Sequence, residues 1–223
     1  MRLSWVTAAS VWGVRTDARL PRSFFARPSV EVAPELLGRH LSFGGVTVRL
    51  TEVEAYAGGL DPGSHAFRGP TPRTEPMFGP PGFTYVYFTY GHHWCVNLVV
   101  GEVGSASAVL LRAGEVLEGH DLVRSRRGGV RERDWTRGPG RLGQALALSG
   151  KHSGLDFCLP SLGAPIDLVV SEGAPVPRAD VAVGPRVGVS GPGGDGQAYP
   201  WRFWVDGDPT VSAYRPGVVR RRS

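Results

Sequence analysis

The stretch VTVRLTEVEAY, residues 46–56, places two carboxylates and a phenol where a strand should be burying hydrocarbon. Val46, Val48 and Leu50 share one parity, and side chains two apart on a strand point the same way, so Glu52, Glu54 and Tyr56 continue onto that face. An unpaired buried charge is very costly. These acids must therefore open onto a cavity or find partners. A carboxylate poised in a cavity can serve as a general base, whereas one that reaches solvent or pairs with arginine has a structural role only. Spacing alone leaves both readings open.

The neighbouring stretches add further chemistry. Residues 57–84 form a long proline-rich loop, DPGSHAFRGPTPRTEPMFGPPG in its centre, and loops of this length in a compact domain are either functional or disordered. His65, Arg68, Arg73 and the Met77-Phe78 pair argue for function. YVYFTY at 85–90 and HHWCVNLVV at 92–100 predict a protruding β-hairpin that turns at Tyr90-Gly91. Hairpin tips normally carry Asn, Asp or Gly, so an exposed tyrosine there suggests a wedge. Glu52, Glu54, Asp61, His65, His92 and His93 include plausible metal ligands, but adjacent histidines on a regular strand point to opposite faces, and no H-E-x-x-H or cysteine pair appears. A metal-dependent hydrolase is thus a rival reading that has ligand types but no ligand motif. A sugar hydrolase would need carboxylates flanking a bond, whereas Glu52 and Glu54 are adjacent on one face.

The elements that must position these residues follow from the patterns around them. Ser29 predicts an N-cap for a short helix to Leu37 that Gly38 ends, followed by a strand at 39–43, a Gly44-Gly45 turn and the strand 46–56. Residues 107–113 read as an apolar strand ending in Arg112, and 115–127 as an amphipathic helix through Leu117, Leu122 and Val123. GPGRLGQALAL, from 138, opens a helix whose free N–H groups favour an anion. Beyond 165, short Val-rich strands alternate with Pro-Gly turns; SGPGGDGQA at 190–198 reads as a mobile loop and WRFWV at 201–205 as the strand that completes the sheet.

At 223 residues, without a low-complexity linker, the chain is expected to be one domain spanning 1–223, with residues 1–28 as an N-terminal leader and 216–223 as a flexible basic tail. No apolar run approaches membrane-spanning length. Cys95 and Cys158 lack metal or redox spacing and suggest buried thiols in a reducing compartment, so a cytoplasmic location is expected, nucleoid-associated if the source is bacterial. The net charge is +5, Lys151 is the only lysine, and seven arginines crowd residues 124–141. Guanidinium forks suit phosphate, so a polyanion is a reasonable partner and Arg137 and Arg141 are candidate backbone contacts.

Taken together, these stretches resemble the monofunctional alkyladenine (3-methyladenine) DNA glycosylase family. The matching motifs run in order: LLG at 36–38, TEVEAY at 51–56, D-x-x-S-H at 61–65, G-x-TPR at 69–73, MFGPPG at 77–82, YVYFTYG at 85–91, W-C-V-N at 94–97, AVLLRAGE at 108–115, GPGRLGQAL at 138–146, PRVGV at 185–189 and PWRF at 200–203. No single motif is decisive, but their order and spacing are highly specific. The resemblance implies a single mixed α+β domain around a curved, mainly antiparallel sheet with a few flanking helices. It also implies a monomer that acts on double-stranded DNA containing a modified purine, with no metal, no cofactor and no membrane partner. Water would attack C1′ of a flipped-out nucleotide. By match, Glu54 is the general base, assisted by Arg112; Tyr56, His65, Tyr87 and Asn97 line the base pocket; Tyr90 fills the gap left in the duplex; and Arg73 joins the backbone contacts. Thr74 and His92 stand where the family often has Asn and Met, which bears on substrate range rather than on catalysis.

Overall fold

The computed structural model describes residues 19–89, 91–160 and 167–218. The strands are β1 (His40–Phe43), β2 (Val46–Ala57), β3 (Thr84–Thr89), β4 (His93–Val100), β5 (Ser107–Glu118), β6 (Val169–Ser171), β7 (Val181–Gly184) and β8 (Arg202–Val205). They form one open antiparallel sheet in the order β3-β4-β5-β2-β1-β6, with β8 pairing both β2 and β7. Among the described residues four short α-helices accompany it: α1 (Arg22–Phe25), α2 (Ser29–Glu35), α3 (His120–Arg126) and α4 (Pro139–Ala145). The expected α+β class and antiparallel sheet are observed. Among the described residues no helix is long and apolar enough to cross a membrane.

One face of the sheet carries the main core. Val46, Val48, Leu50, Val53 and Ala55 of β2 meet Val109, Leu111 and Val116 of β5, with Val32 of α2, Val123 of α3 and Leu142 of α4 packed against them. Each fully buried Val, Leu or Phe side chain contributes about 1.5–3 kcal/mol over leaving it exposed. α4 lies directly on β4, since a Cβ at Gly143 would sit 2.0 Å from the Trp94 carbonyl oxygen. Gly44 and Gly45, with φ of 58° and 79°, make the tight turn expected between β1 and β2.

The apolar parity of β2 changes between Leu50 and Val53, and this corrects the prediction that Glu52, Glu54 and Tyr56 share the face of Val46, Val48 and Leu50. Leu50 pairs with Gly114, Glu52 with Ala113 and Val53 with Leu111, so Thr51 is an extra residue on β2 and Arg112 an extra residue on β5. Two opposed bulges cancel in register but turn each strand over at that point. Glu52, Glu54 and Arg112 thereby lie on the face away from the helices. Tyr85, Val99 and Ala108 on that face pack with Ala66 and Met77 of the long loop into a second, smaller core.

Other local expectations also shift. The 107–113 strand continues to Glu118, so the helix predicted over 115–127 is reduced to His120–Arg126. Pro28 occupies the cap position of α2, and Ser29 is its first helical residue, with a buried hydroxyl that finds no hydrogen-bond partner among the described residues. Residues 19–28, grouped by sequence with the leader, pack into the domain: Leu20 and Phe25 are buried, Arg19 bridges to Ser171 and Arg22 pairs with Asp156. Residues 1–18 lie outside the described residues, as does Tyr90 at the hairpin tip. Residues 190–198, read as a mobile loop, are tied to the domain where the Gly193 carbonyl accepts a 2.8 Å bond from Arg186.

Candidate active site

The sheet face opposite the helices forms the floor of a cleft of about 1640 Å³, walled by the long loop, the N-terminal turn of α4 and the segment 212–218. Glu52 and Glu54, two residues apart and both fully buried, have different surroundings. Glu52 accepts bonds from Arg112 Nε (2.7 Å), Arg202 Nε (2.8 Å), the Ser212 N–H (2.7 Å) and the Ser212 hydroxyl (2.8 Å). A carboxylate has about four acceptor positions, and Glu52 has four donors, three on Oε1 and one on Oε2. Burial by itself would raise its pKa, but the charges of Arg112 and Arg202 and the Ser212 N–H hold it below the ordinary carboxylate value.

Glu54 accepts from fewer donors. Its Oε1 takes the Val187 N–H at 2.7 Å and faces Arg112 Nη1 at 3.3 Å, and its Oε2 takes the Tyr56 hydroxyl at 2.9 Å. One acceptor position on Oε2 remains. Glu54 lines the cleft although none of its side chain is exposed, so it sits at the bottom of the site, beneath Tyr56. Arg112 spans the two acids. Burial disfavours its charge, but Glu54 and Glu52 more than compensate and raise its pKa, so it remains a cation.

Above these acids the walls are aromatic. The Tyr85 and Tyr87 rings stack at 5.5 Å, and His65 meets Tyr87 edge-on at 4.7 Å. Burial, then the nearby Glu54 carboxylate, pushes the Tyr56 hydroxyl well up; burial and Cys95 do the same for Tyr87. Both phenols are therefore neutral hydrogen-bond donors at neutral pH. His65 is open to solvent within this concavity, yet burial and the Arg73 charge lower its pKa, so the imidazole is neutral at pH 7. Asn97, buried at the floor, donates to the Tyr85 carbonyl at 3.2 Å, and Cys95 lies beside it with its thiol pushed up by burial to about 11.

Glu54, Arg112, Tyr56, His65, Tyr87 and Asn97, singled out in the sequence, thus come together around one cleft. The arginines are divided. Arg73 lies 5.4 Å over the Tyr87 ring at the mouth. Arg137 donates to the Val211 carbonyl at 2.7 Å and faces Asp134 at 3.3 Å. Arg141 lines the cleft and is exposed. Within the basic segment, Arg126 and Arg127 bind the carbonyls of Ala145 and Trp135, so part of its charge holds the fold together. Thr74 is buried and bonds Thr71 at 2.9 Å, away from the cleft lining. The His92 and His93 rings lie 3.9 Å apart rather than on opposite faces, because β4 begins only at His93.

Sequence reasoning missed Arg186. It is fully buried, makes paired bonds of 2.6 and 2.7 Å to Asp61, donates to the Ala55 carbonyl at 3.0 Å and lies 4.5 Å over the Tyr56 ring. Its neighbour Val187 supplies the N–H that Glu54 accepts. Arg202 and Ser212 were missed too, and nothing in their local sequence marks them as partners of Glu52. Two of the carboxylates that a metal-hydrolase reading would use, Glu52 and Asp61, are held by guanidinium groups.

Comparison with known proteins matches residues 23–209 to the family model described as methylpurine-DNA glycosylase. A protein of Streptomyces avermitilis named "Putative 3-methyladenine DNA glycosylase" is 54% identical over 208 residues, covering 91% of this chain and 95% of its own. Proteins with the same name from Frankia casuarinae and Leifsonia xyli subsp. xyli are 50% and 49% identical, each covering 90% of this chain and 96% and 94% of their own. With that extent of match over a cleft built as described, the chain belongs to the methylpurine-DNA glycosylase family.

Proposed function

We propose that this DNA glycosylase removes a modified purine from duplex DNA by direct attack of water on C1′ of an extruded nucleotide. The observation that carries the reading is the unequal pair of acids: Glu52 holds four donors and does not line the cleft, while Glu54 lines the aromatic cleft and keeps one acceptor position on Oε2. A water bonded to that position gives its proton to Glu54 as its oxygen forms the new bond to C1′. The glycosidic bond breaks, its electron pair leaves with the base, and an abasic site remains. A purine alkylated at ring N3 or N7 is cationic and departs neutral, so the enzyme need not protonate it. Arg112, 3.3 Å from its Oε1, orients Glu54.

The base is walled by Tyr87, His65 and the Tyr56 ring, with Asn97 bordering the floor; aromatic walls suit a flipped base. Arg73 and Arg141 contact the DNA backbone from the mouth. Tyr90 carries the wedge role on sequence grounds, as a side chain inserted where the nucleotide has left. The protein acts as a monomer.

The test is a panel of duplexes, each with one modified purine, incubated with the protein and then cleaved with alkali at abasic sites. Glu54→Gln is expected to lower single-turnover excision by about 10²–10⁴ or more while duplex binding persists, because the amide cannot take the proton. Excision by Glu54→Gln at the parent's rate would remove Glu54 from the reaction.

A further inference from the structure

Five arginines line the main cleft: Arg112, Arg131, Arg137, Arg141 and Arg215. Arg112 is engaged by Glu52 and Glu54, and Arg131 and Arg137 by Asp134. The guanidinium groups of Arg141 and Arg215 make no hydrogen bond or ion pair to any described residue, and both side chains are exposed. Arg141 rises from α4. Arg215 comes from the opposite wall, a segment that begins where the family match ends at residue 209.

The backbone of that segment is anchored along its length. Thr210 Oγ1 lies 2.7 Å from Thr51 Oγ1, the Ser212 N–H binds Glu52 at 2.7 Å, and the Val211 carbonyl accepts from Arg137 at 2.7 Å. The Gly188 N–H then donates to the Arg215 carbonyl at 2.8 Å, one residue beyond the Val187 that binds Glu54. Gly217 lies against Val189, where an added Cβ would come within 2.4 Å of its carbonyl group. Arg215 therefore combines a fixed backbone origin with an uncommitted guanidinium at the mouth of the cleft. With the backbone already fixed, only the side chain is ordered on binding, and the guanidinium suits a charge-assisted contact to a phosphate oxygen.

We infer that residues 210–218 form the second jaw of the DNA cleft, and that Arg215 takes a backbone phosphate beside the extruded nucleotide. The inference rests on the site acting on duplex DNA, and it assigns a ligand-binding role to a segment beyond the family match.

The experiment measures equilibrium binding of the full chain, Arg215→Gln and Arg215→Lys to a duplex bearing a tetrahydrofuran abasic analogue, across a series of NaCl concentrations. Loss of one phosphate contact should reduce the magnitude of the slope of log K against log salt by about 0.9 for Arg215→Gln, with Arg215→Lys keeping most of the slope. An unchanged slope in Arg215→Gln, or an equal fall in Arg215→Lys, would overturn the contact. Abasic-site formation by the parent on a modified-purine duplex is followed in parallel. A parent that excises normally while the Gln slope is unchanged defeats only the jaw; a parent that binds but excises nothing defeats the reading of the site instead.

Discussion

At the scale of single residues, Glu52 and Glu54 have the same side chain at positions two apart and are separated by their donors. Glu52 has four, drawn from Arg112, Arg202 and Ser212, and serves as a strut beneath the site. Removing one partner of a buried ion network leaves uncompensated charge and costs about 3–5 kcal/mol. Glu52→Gln should lower stability by about that amount in urea unfolding, and lower activity with it because Arg112 loses its anchor. Glu54→Gln should cost much less stability, since Arg112 keeps Glu52. Equal unfolding midpoints for Glu52→Gln and the parent would show that the network is not a strut. Thr74 provides a contrast. It is a departure from the usual family pattern that looked relevant to substrate range, yet it closes a turn with Thr71 and does not line the cleft.

At the scale of elements, the site depends on a connection between β2, the loop after it and the segment before β8. Arg186 makes that connection by binding Asp61 and the Ala55 carbonyl and covering Tyr56, while Val187 binds Glu54. Arg186→Met should therefore destabilise the protein, by leaving Asp61 buried without its cation, and slow excision, by loosening Val187 and Tyr56. The two effects are separable. Adding Asp61→Asn removes the unpaired charge and should restore part of the stability while leaving excision slow. Recovery of both together would mean that Arg186 only supports the fold. The paired bulges at Thr51 and Arg112 are the other element-scale device, because they turn the acids away from the helix-covered core.

At the scale of the whole molecule, three imidazoles are held below their ordinary pKa of 6.5: His65 by burial and Arg73, His93 by burial and its cationic neighbours, and His152 by burial and Lys151. The unfolded chain takes up these protons near pH 6.5 and the folded chain only at lower pH. The unfolded state thus binds more protons in this window, and stability rises with pH through it. Folding stability should be higher at pH 7.5 than at pH 5.5. The carboxylates held below their usual values, Glu52 among them, add a further loss of the same sign only below about pH 4.5. Urea midpoints at the two pH values check this, and His65→Gln should shrink the difference. A midpoint that stays constant or rises on acidification would contradict it.

Much of this was legible from the chain alone. Apolar alternation and glycine turns located β1 and β2, the β3 and β4 hairpin and β8, because a strand's period and a turn's positive φ are local properties. The ordered motifs from LLG at 36–38 to PWRF at 200–203 located Glu54, Arg112 and the aromatic lining. The face on which the acids lie was decided by tertiary structure. A bulge is visible only in the pairing of two strands, and simple parity placed Glu52 and Glu54 on the wrong side. Likewise, only the fold brings Arg186, Arg202 and Ser212 to acids more than a hundred residues earlier in the chain, and only the closing of Arg202 and Ser212 over Glu52 separates it from the Glu54 that lines the cleft. Residue type and local period are encoded in the chain, whereas the donor count at a buried carboxylate depends on which distant segments close over it.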